Sequence, residues 1–89
     1  MRIAAVQCRS IQDDPDAVGD IVADRLRWAD AEAVGLVLFP EAFLLGHSYD
    51  VAVIAARAER ERDVLTALCR RIAGFRATTV VGAFEAGDG

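Results

Sequence analysis

The sequence predicts an α/β domain with three mostly parallel strands and two to three helices. Three observations predict it. Short apolar runs alternate with longer stretches whose apolar residues recur at helical spacing, which is the pattern of βαβ units. The most apolar of the short runs, Leu36-Val37-Leu38-Phe39, ends at Pro40, which cannot donate to a strand ladder. Leu, Ile, Val and Phe together supply 26 of the 89 residues, too many for a disordered chain but enough for only one core. No repeat, low-complexity segment or Pro/Gly/Ser-rich linker divides residues 1–89, so a single unit is expected.

Arg2 to Gln7 reads as a first strand buried on both faces, as strands of a parallel sheet usually are. Asp13-Asp14-Pro15-Asp16 then starts a helix: Asp14 can cap the free amides, and Pro15 takes the first helical position, where its missing N–H costs nothing. That helix is expected over residues 15–34. Val18, Ile21, Val22, Leu26, Ala29 and Ala33 form its apolar stripe, Trp28 lies at the border, and Gly35 is expected to supply a left-handed stop. Arg25 falls inside the stripe, and snorkelling of its long stem toward water is the expected resolution.

Leu36 to Phe39 is the second buried strand. From the cap Asp50 to about Gly74 the pattern is helical, with a break expected at Arg57 to Arg60, where the apolar phase is lost. Leu65, Leu68, Cys69, Ile72 and Ala73 are its expected apolar face. Thr78 to Phe84, with β-branched Thr79, Val80 and Val81 at the centre, is the third strand.

Ten arginines and no lysine stand against fourteen carboxylates, for a net charge of −4. No basic stripe exists to release counterions from a nucleic acid, so no nucleic-acid partner is expected. Uncharged runs reach only eight residues, far short of the roughly 20 needed to span a membrane. The apolar start is likewise too short for a signal-peptide core, so a cytoplasmic location is expected. Cys8 and Cys69 do not make a disulfide framework, and both are expected to be core fillers.

In an open parallel sheet, functional groups gather at the carboxyl ends of the strands. Glu41, directly after Phe39-Pro40, stands at such an end. Beside Phe39, Phe43 and Leu44 its carboxylate would be partly desolvated, which favours the neutral form and brings the group toward the working range of a general base. Position alone also fits an ordinary glutamate in a solvated loop or at a helix start.

Three segments in order carry a wider resemblance: Arg2-Ile3-Ala4-Ala5-Val6-Gln7, then Gly35 to Gly46 (GLVLFPEAFLLG), then Val80-Val81-Gly82-Ala83-Phe84-Glu85. Together they resemble the amino-terminal part of the carbon-nitrogen hydrolase, or nitrilase, family. The resemblance implies an αββα sandwich that pairs with a second copy into a four-layer homo-oligomer. It also implies a Glu-Lys-Cys triad hydrolysing a small-molecule amide or nitrile, with no cofactor and no metal. Glu41 matches the family's catalytic glutamate and is the only triad member expected here. The lysine and the nucleophilic cysteine lie after the third strand in the family, and residues 1–89 are expected to be a partial domain that stops in the turn following that strand. An expected consequence is that the chain alone is inactive. The alternative is a non-catalytic pseudoenzyme or interaction module that pairs with a full-length relative.

Other constellations are weaker. His47, Ser48 and Asp50 have the types of a hydrolytic triad but sit in one loop, where such groups rarely align, and Asp50 is expected to be a cap. His47 also departs from the family, which more often has an aromatic residue after the glycine. Asp13, Asp14, Asp16 and Asp20 lack the spacing of a calcium loop and suit a helix amino terminus. Glu85 is expected to face a turn. A Rossmann-like or flavodoxin-like domain lacks support because no Gly-rich phosphate loop follows the first strand.

Overall fold

The computed structural model describes residues 1–40, 43–46 and 48–82. Their order is β1 (Arg2–Ala5), α1 (Pro15–Ala31), β2 (Val34–Leu38), α2 (Val51–Ile72) and β3 (Thr78–Val80), which is a small α/β domain with three parallel strands. The strands lie side by side as β1-β2-β3, so each crossover moves one place in the same direction. Right-handed crossovers of that kind put both connecting helices on one face of the sheet, and α1 and α2 do pack against each other. Amides beyond the strands continue the ladders: Val6 donates to Leu38 O at 2.8 Å and Phe39 donates to Val80 O at 2.9 Å.

This one-sided arrangement corrects the expectation of strands buried on both faces. Ala4, Val37 and Thr79 share the row that turns toward the helices, with Val37 buried. The rows on either side turn the other way, and they leave Ile3 61%, Leu38 36% and Val80 49% exposed. The open face is apolar because the strand sequences are apolar at consecutive positions, as in a two-sided sheet.

Asp14 caps α1 by accepting from Ala17 N at 3.1 Å, and Pro15 opens the helix. Val18, Val22, Leu26 and Ala29 bury the expected stripe, while Trp28 is half exposed and Arg25 reaches water to pair with Asp24. The helix stops earlier than expected, at Ala31, and Ala33 takes the left-handed turn (φ 54°) assigned above to Gly35. Gly35 instead lies within β2. Arg2 pairs with Val34 and Ile3 with Leu36, so Gly35 is the extra residue of a bulge. A Cβ there would come within 2.9 Å of the Met1 side chain.

Asp50 caps α2 through Ala52 N at 2.9 Å. The helix runs unbroken through Arg57–Arg60, because the inward face is continued there by buried Arg57 and Glu61 instead of by apolar residues. Positions 57, 61, 64, 68 and 72 form one stripe at helical spacing. Leu68 is its buried apolar member, and Val64 and Ile72 pack against the same core. Leu65 and Cys69 lie off that line and are exposed, which corrects the reading of Cys69 as a core filler. Cys8 is half buried against the core as expected. The helix ends at Ile72, with Ala73 rather than Gly74 at its cap. β3 covers only Thr78–Val80 of the expected third strand, whose last two residues, Ala83 and Phe84, fall outside the described residues.

The turn from α2 into β3 is tied to the far end of α1. The Asp30 carboxylate accepts from Arg76 N at 3.1 and 3.2 Å and from Ala77 N at 3.2 Å. Asp30→Ala leaves both amides short of an acceptor, and a loss of about 1–3 kcal/mol in unfolding free energy is expected from urea melts. An unchanged midpoint would show that water replaces the carboxylate without cost.

Candidate functional site

The loops that leave the carboxyl ends of β1 and β2 meet beside the first half of α2. Asp13 N donates to Leu45 O at 2.9 Å. Gly46 has φ +94°, and a Cβ on it would approach Ile11 O to 2.7 Å, so the two loops touch backbone to backbone at a position only glycine fills without strain. Phe43, Leu44 and Leu45 are buried beneath this junction.

Arg57 fastens the junction to the helix. Its side chain is 5% exposed and it donates to three separate points. Nε and Nη2 hold the Asp13 carboxylate in a fork at 3.1 and 2.9 Å, Nη2 also reaches Gln12 Oε1 at 2.8 Å, and Nη1 reaches Gly46 O at 2.9 Å. A planar guanidinium can serve all of these acceptors at once, whereas an ammonium cannot match the fork. Glu61, one turn further along α2 and 3% exposed, adds its negative charge to the surroundings of Arg57. Arg60 reaches the same Asp13 carboxylate from outside at 3.4 Å.

The charges shift in the direction this geometry requires. Hydrogen bonding from Arg57 holds the Asp13 carboxyl below its ordinary 3.8, against partial desolvation and with help from the charges of Arg57 and Arg60. The same hydrogen bond to Asp13 strengthens the proton affinity of Arg57, opposed by desolvation and aided by Asp13 and Glu61. The guanidinium therefore stays charged throughout the accessible pH range.

Phe39 and Phe43 stack with ring centroids 5.5 Å apart and planes at 17°. Both rings are buried, so Phe39 and Phe43 meet within the core. Glu41 lies between them in sequence and outside the described residues, as do His47 and Glu85. Ser48 Oγ accepts from Asp50 N at 3.1 Å and Asp50 caps α2, so both of these loop side chains are engaged locally. Of the four early aspartates, Asp13 binds Arg57, Asp14 caps α1 and Asp20 pairs with Arg71. These three therefore point to different partners, and Asp16 lies in the first turn of α1. Arg57, Glu61 and Gln12 were not singled out by sequence reasoning. Their signal was the lost apolar phase near residue 57, where two opposite charges four residues apart stand on the line later taken up by Val64 and Leu68. No protein-family model matches the chain, and no curated protein matches it.

Two outcomes follow from the clasp. Arg57→Met leaves the acceptors on both loops without their donor and removes a positive charge that acts on buried Glu61, and a fall in melting temperature of roughly 10 °C or more is expected by circular dichroism. A change within error would mean that the loops hold together without it. Asp13 contributes stability that is fully present above the unfolded carboxyl value and is lost as pH falls through its depressed folded value. Asp13→Asn should therefore unfold at lower urea than the parent at pH 7, with the gap narrowing as pH falls below the ordinary 3.8. A gap that persists in acid would assign the loss to something other than the carboxylate charge.

Proposed function

We propose that this chain carries the first strands, the first helices and the general base of a carbon-nitrogen hydrolase acting on a small-molecule amide or nitrile. The supporting observation is the stacked pair of buried rings, Phe39 and Phe43, at the carboxyl end of the central strand, two residues either side of Glu41 in sequence. In this reading apolar neighbours of that kind disfavour a charged carboxylate and bring it toward the range useful for proton transfer.

In this reading Glu41 takes the proton of a cysteine thiol, and the thiolate adds to the nitrile or amide carbon. From an amide, ammonia or the amine leaves directly with a proton returned from the base, giving a thioester. From a nitrile the thioimidate first adds a water deprotonated by the base, and ammonia then leaves with the returned proton to give the same thioester. Glu41 then takes a proton from water, whose oxygen attacks the thioester carbon, releasing the acid and regenerating the thiol. A lysine ammonium would stabilise the oxyanion of each tetrahedral intermediate. The chain has no lysine, and Cys8 after β1 and Cys69 on the outer side of α2 do not match the nucleophile, so those two groups must come from outside these 89 residues.

Exchanging this chain for the matching segment of a complete carbon-nitrogen hydrolase tests the reading. The hybrid is expected to release ammonia from an amide panel and to lose about 100-fold or more in kcat with Glu41→Gln. A hybrid whose rate ignores that substitution would sink the assignment. The 89-residue chain alone is expected to release no more ammonia than its own Glu41→Gln variant.

A second reading, a non-catalytic interaction module, is favoured by the uncovered apolar face of the sheet at Ile3, Leu38 and Val80. A surface of that kind on a parallel sheet calls for a covering partner. It predicts association that weakens with Leu38→Thr and is indifferent to Glu41→Gln, as measured by sedimentation.

A further inference from the structure

We propose that the cleft between α1 and α2 is a binding site for a primary ammonium group carried on a short aliphatic chain. The cleft has a volume of about 270 Å³ and is formed by the first turns of α1, the second half of α2 and Leu44 from the loop after β2. An enclosed apolar cavity of about 150 Å³ already takes a molecule the size of benzene, so the space suits a small aliphatic molecule or one side chain of a partner.

The floor of the cleft is apolar. Val18 and Leu44 are each 1% exposed and Leu68 is 6% exposed, with Val64 half buried beside them. Gly19 also lines it, buried inside α1, where glycine is a weak helix former. A Cβ on Gly19 would come within 2.6 Å of Arg71 Nη1. The Arg71 guanidinium therefore lies across the bare backbone of α1 at one end of the cleft, where it pairs with Asp20.

Charge selects the occupant. Two exposed carboxylates line the same cleft, Asp16 from α1 and Asp63 from α2. Asp16 complements the amino-terminal dipole of α1, but Asp63 stands inside α2, where aspartate is a poor helix former. Among the described residues, neither carboxylate is joined to a cation or a hydrogen-bond donor. Arg71 does not balance them, because Asp20 already engages it. An anion entering the cleft would meet two unmatched carboxylates, and a neutral chain would leave them unmatched. A cation with an aliphatic stem answers both parts of the lining, with the stem on Val18, Leu44 and Leu68 and the head toward Asp16 and Asp63. An ammonium is a compact charge with three donors, free of the fixed plane of a guanidinium, so it can turn between two carboxylates. The chain contains no lysine, so the ammonium comes from another molecule.

Methyl NMR titration of the 89-residue chain with hexylammonium tests this, read at Val18, Leu44, Val64 and Leu68. Hexanol and hexanoate are the neutral and anionic probes, and Nα-acetyl-lysine N-methylamide stands in for the lysine of a partner chain. Hexylammonium is expected to saturate with a Kd on the order of 1 mM, roughly tenfold tighter than hexanol, while hexanoate does not bind. Asp16→Asn combined with Asp63→Asn should weaken hexylammonium about tenfold, to the level of hexanol. Ala67→Leu, which fills the cleft from the exposed side of α2 with a good helix former, should weaken hexylammonium and hexanol alike. A lysine derivative that binds as tightly as hexylammonium assigns the site to a partner's side chain, and one that binds much more weakly assigns it to a small free amine; both support the proposal. Equal affinity for hexylammonium and hexanol, or an affinity that ignores the paired aspartate substitutions, overturns it and leaves only an apolar cleft. The absence of any saturable shift at these methyls also overturns it. So does a shift of the same methyls on raising protein concentration without amine, which would give the cleft to an arginine of a second copy.

Discussion

A buried guanidinium constrains much of this small fold. Arg57 sits where the amphipathic stripe of α2 would otherwise present an apolar residue, and burying its charge is tolerable only because acceptors converge on it from two loops. The dependence runs both ways. The loops leave the carboxyl ends of β1 and β2, carry little regular structure of their own, and find in Arg57 the donors that their backbone and side-chain oxygens lack. The first half of α2 is less a core helix than a bracket for those loops, and its second half, through Leu68 and its neighbours, is the part that joins the core shared with α1.

The rest of the architecture follows from a uniform crossover sense. With strand order β1-β2-β3 and helices on one side, α1 and α2 share a single core with the inward row of the sheet. The opposite rows carry side chains suited to burial, yet among the described residues Ile3, Leu38 and Val80 remain exposed there. Sequence and environment therefore disagree on that face, and only a second layer of protein would reconcile them.

Much of this was legible in the sequence because it depends on local chemistry. Asp14-Pro15 and Asp50 start the helices as read, since capping needs only a side-chain oxygen and a free amide a few residues on. The element order and the burial of Val18, Val22, Leu26 and Ala29 follow from periodicity alone. The errors have a common cause: long-range contacts altered the local preference. Arg57 and Glu61 broke the apolar phase and so looked like a helix break, yet they are inward because of loops more than ten positions away. Gly35 looked like a helix stop, but a close approach by Met1 and a strand bulge claim it, and Ala33 takes the left-handed turn instead. Cys69 looked interior because of its neighbours' spacing, although the true stripe passes through Val64 and Leu68. For the candidate site, Glu41 is a reading from the strand and proline before it and lies outside the described residues. The Arg57 clasp was not legible, because its side-chain partners Asp13 and Gln12 are 44 and 45 residues away in sequence.

Asp30 has a bearing on how the chain folds. Its ties to Arg76 and Ala77 close separations of 46 and 47 residues, and those of Arg57 close separations of 44 and 45 at the other end of α1. Both ends of one helix are thus anchored to segments that emerge much later in the chain. Contacts of such sequence distance must bear their loop-closure entropy before any of them stabilises the ensemble. The two anchors of α1 are complete only once α2 and the turn after it are in place, which couples the two βαβ halves to each other.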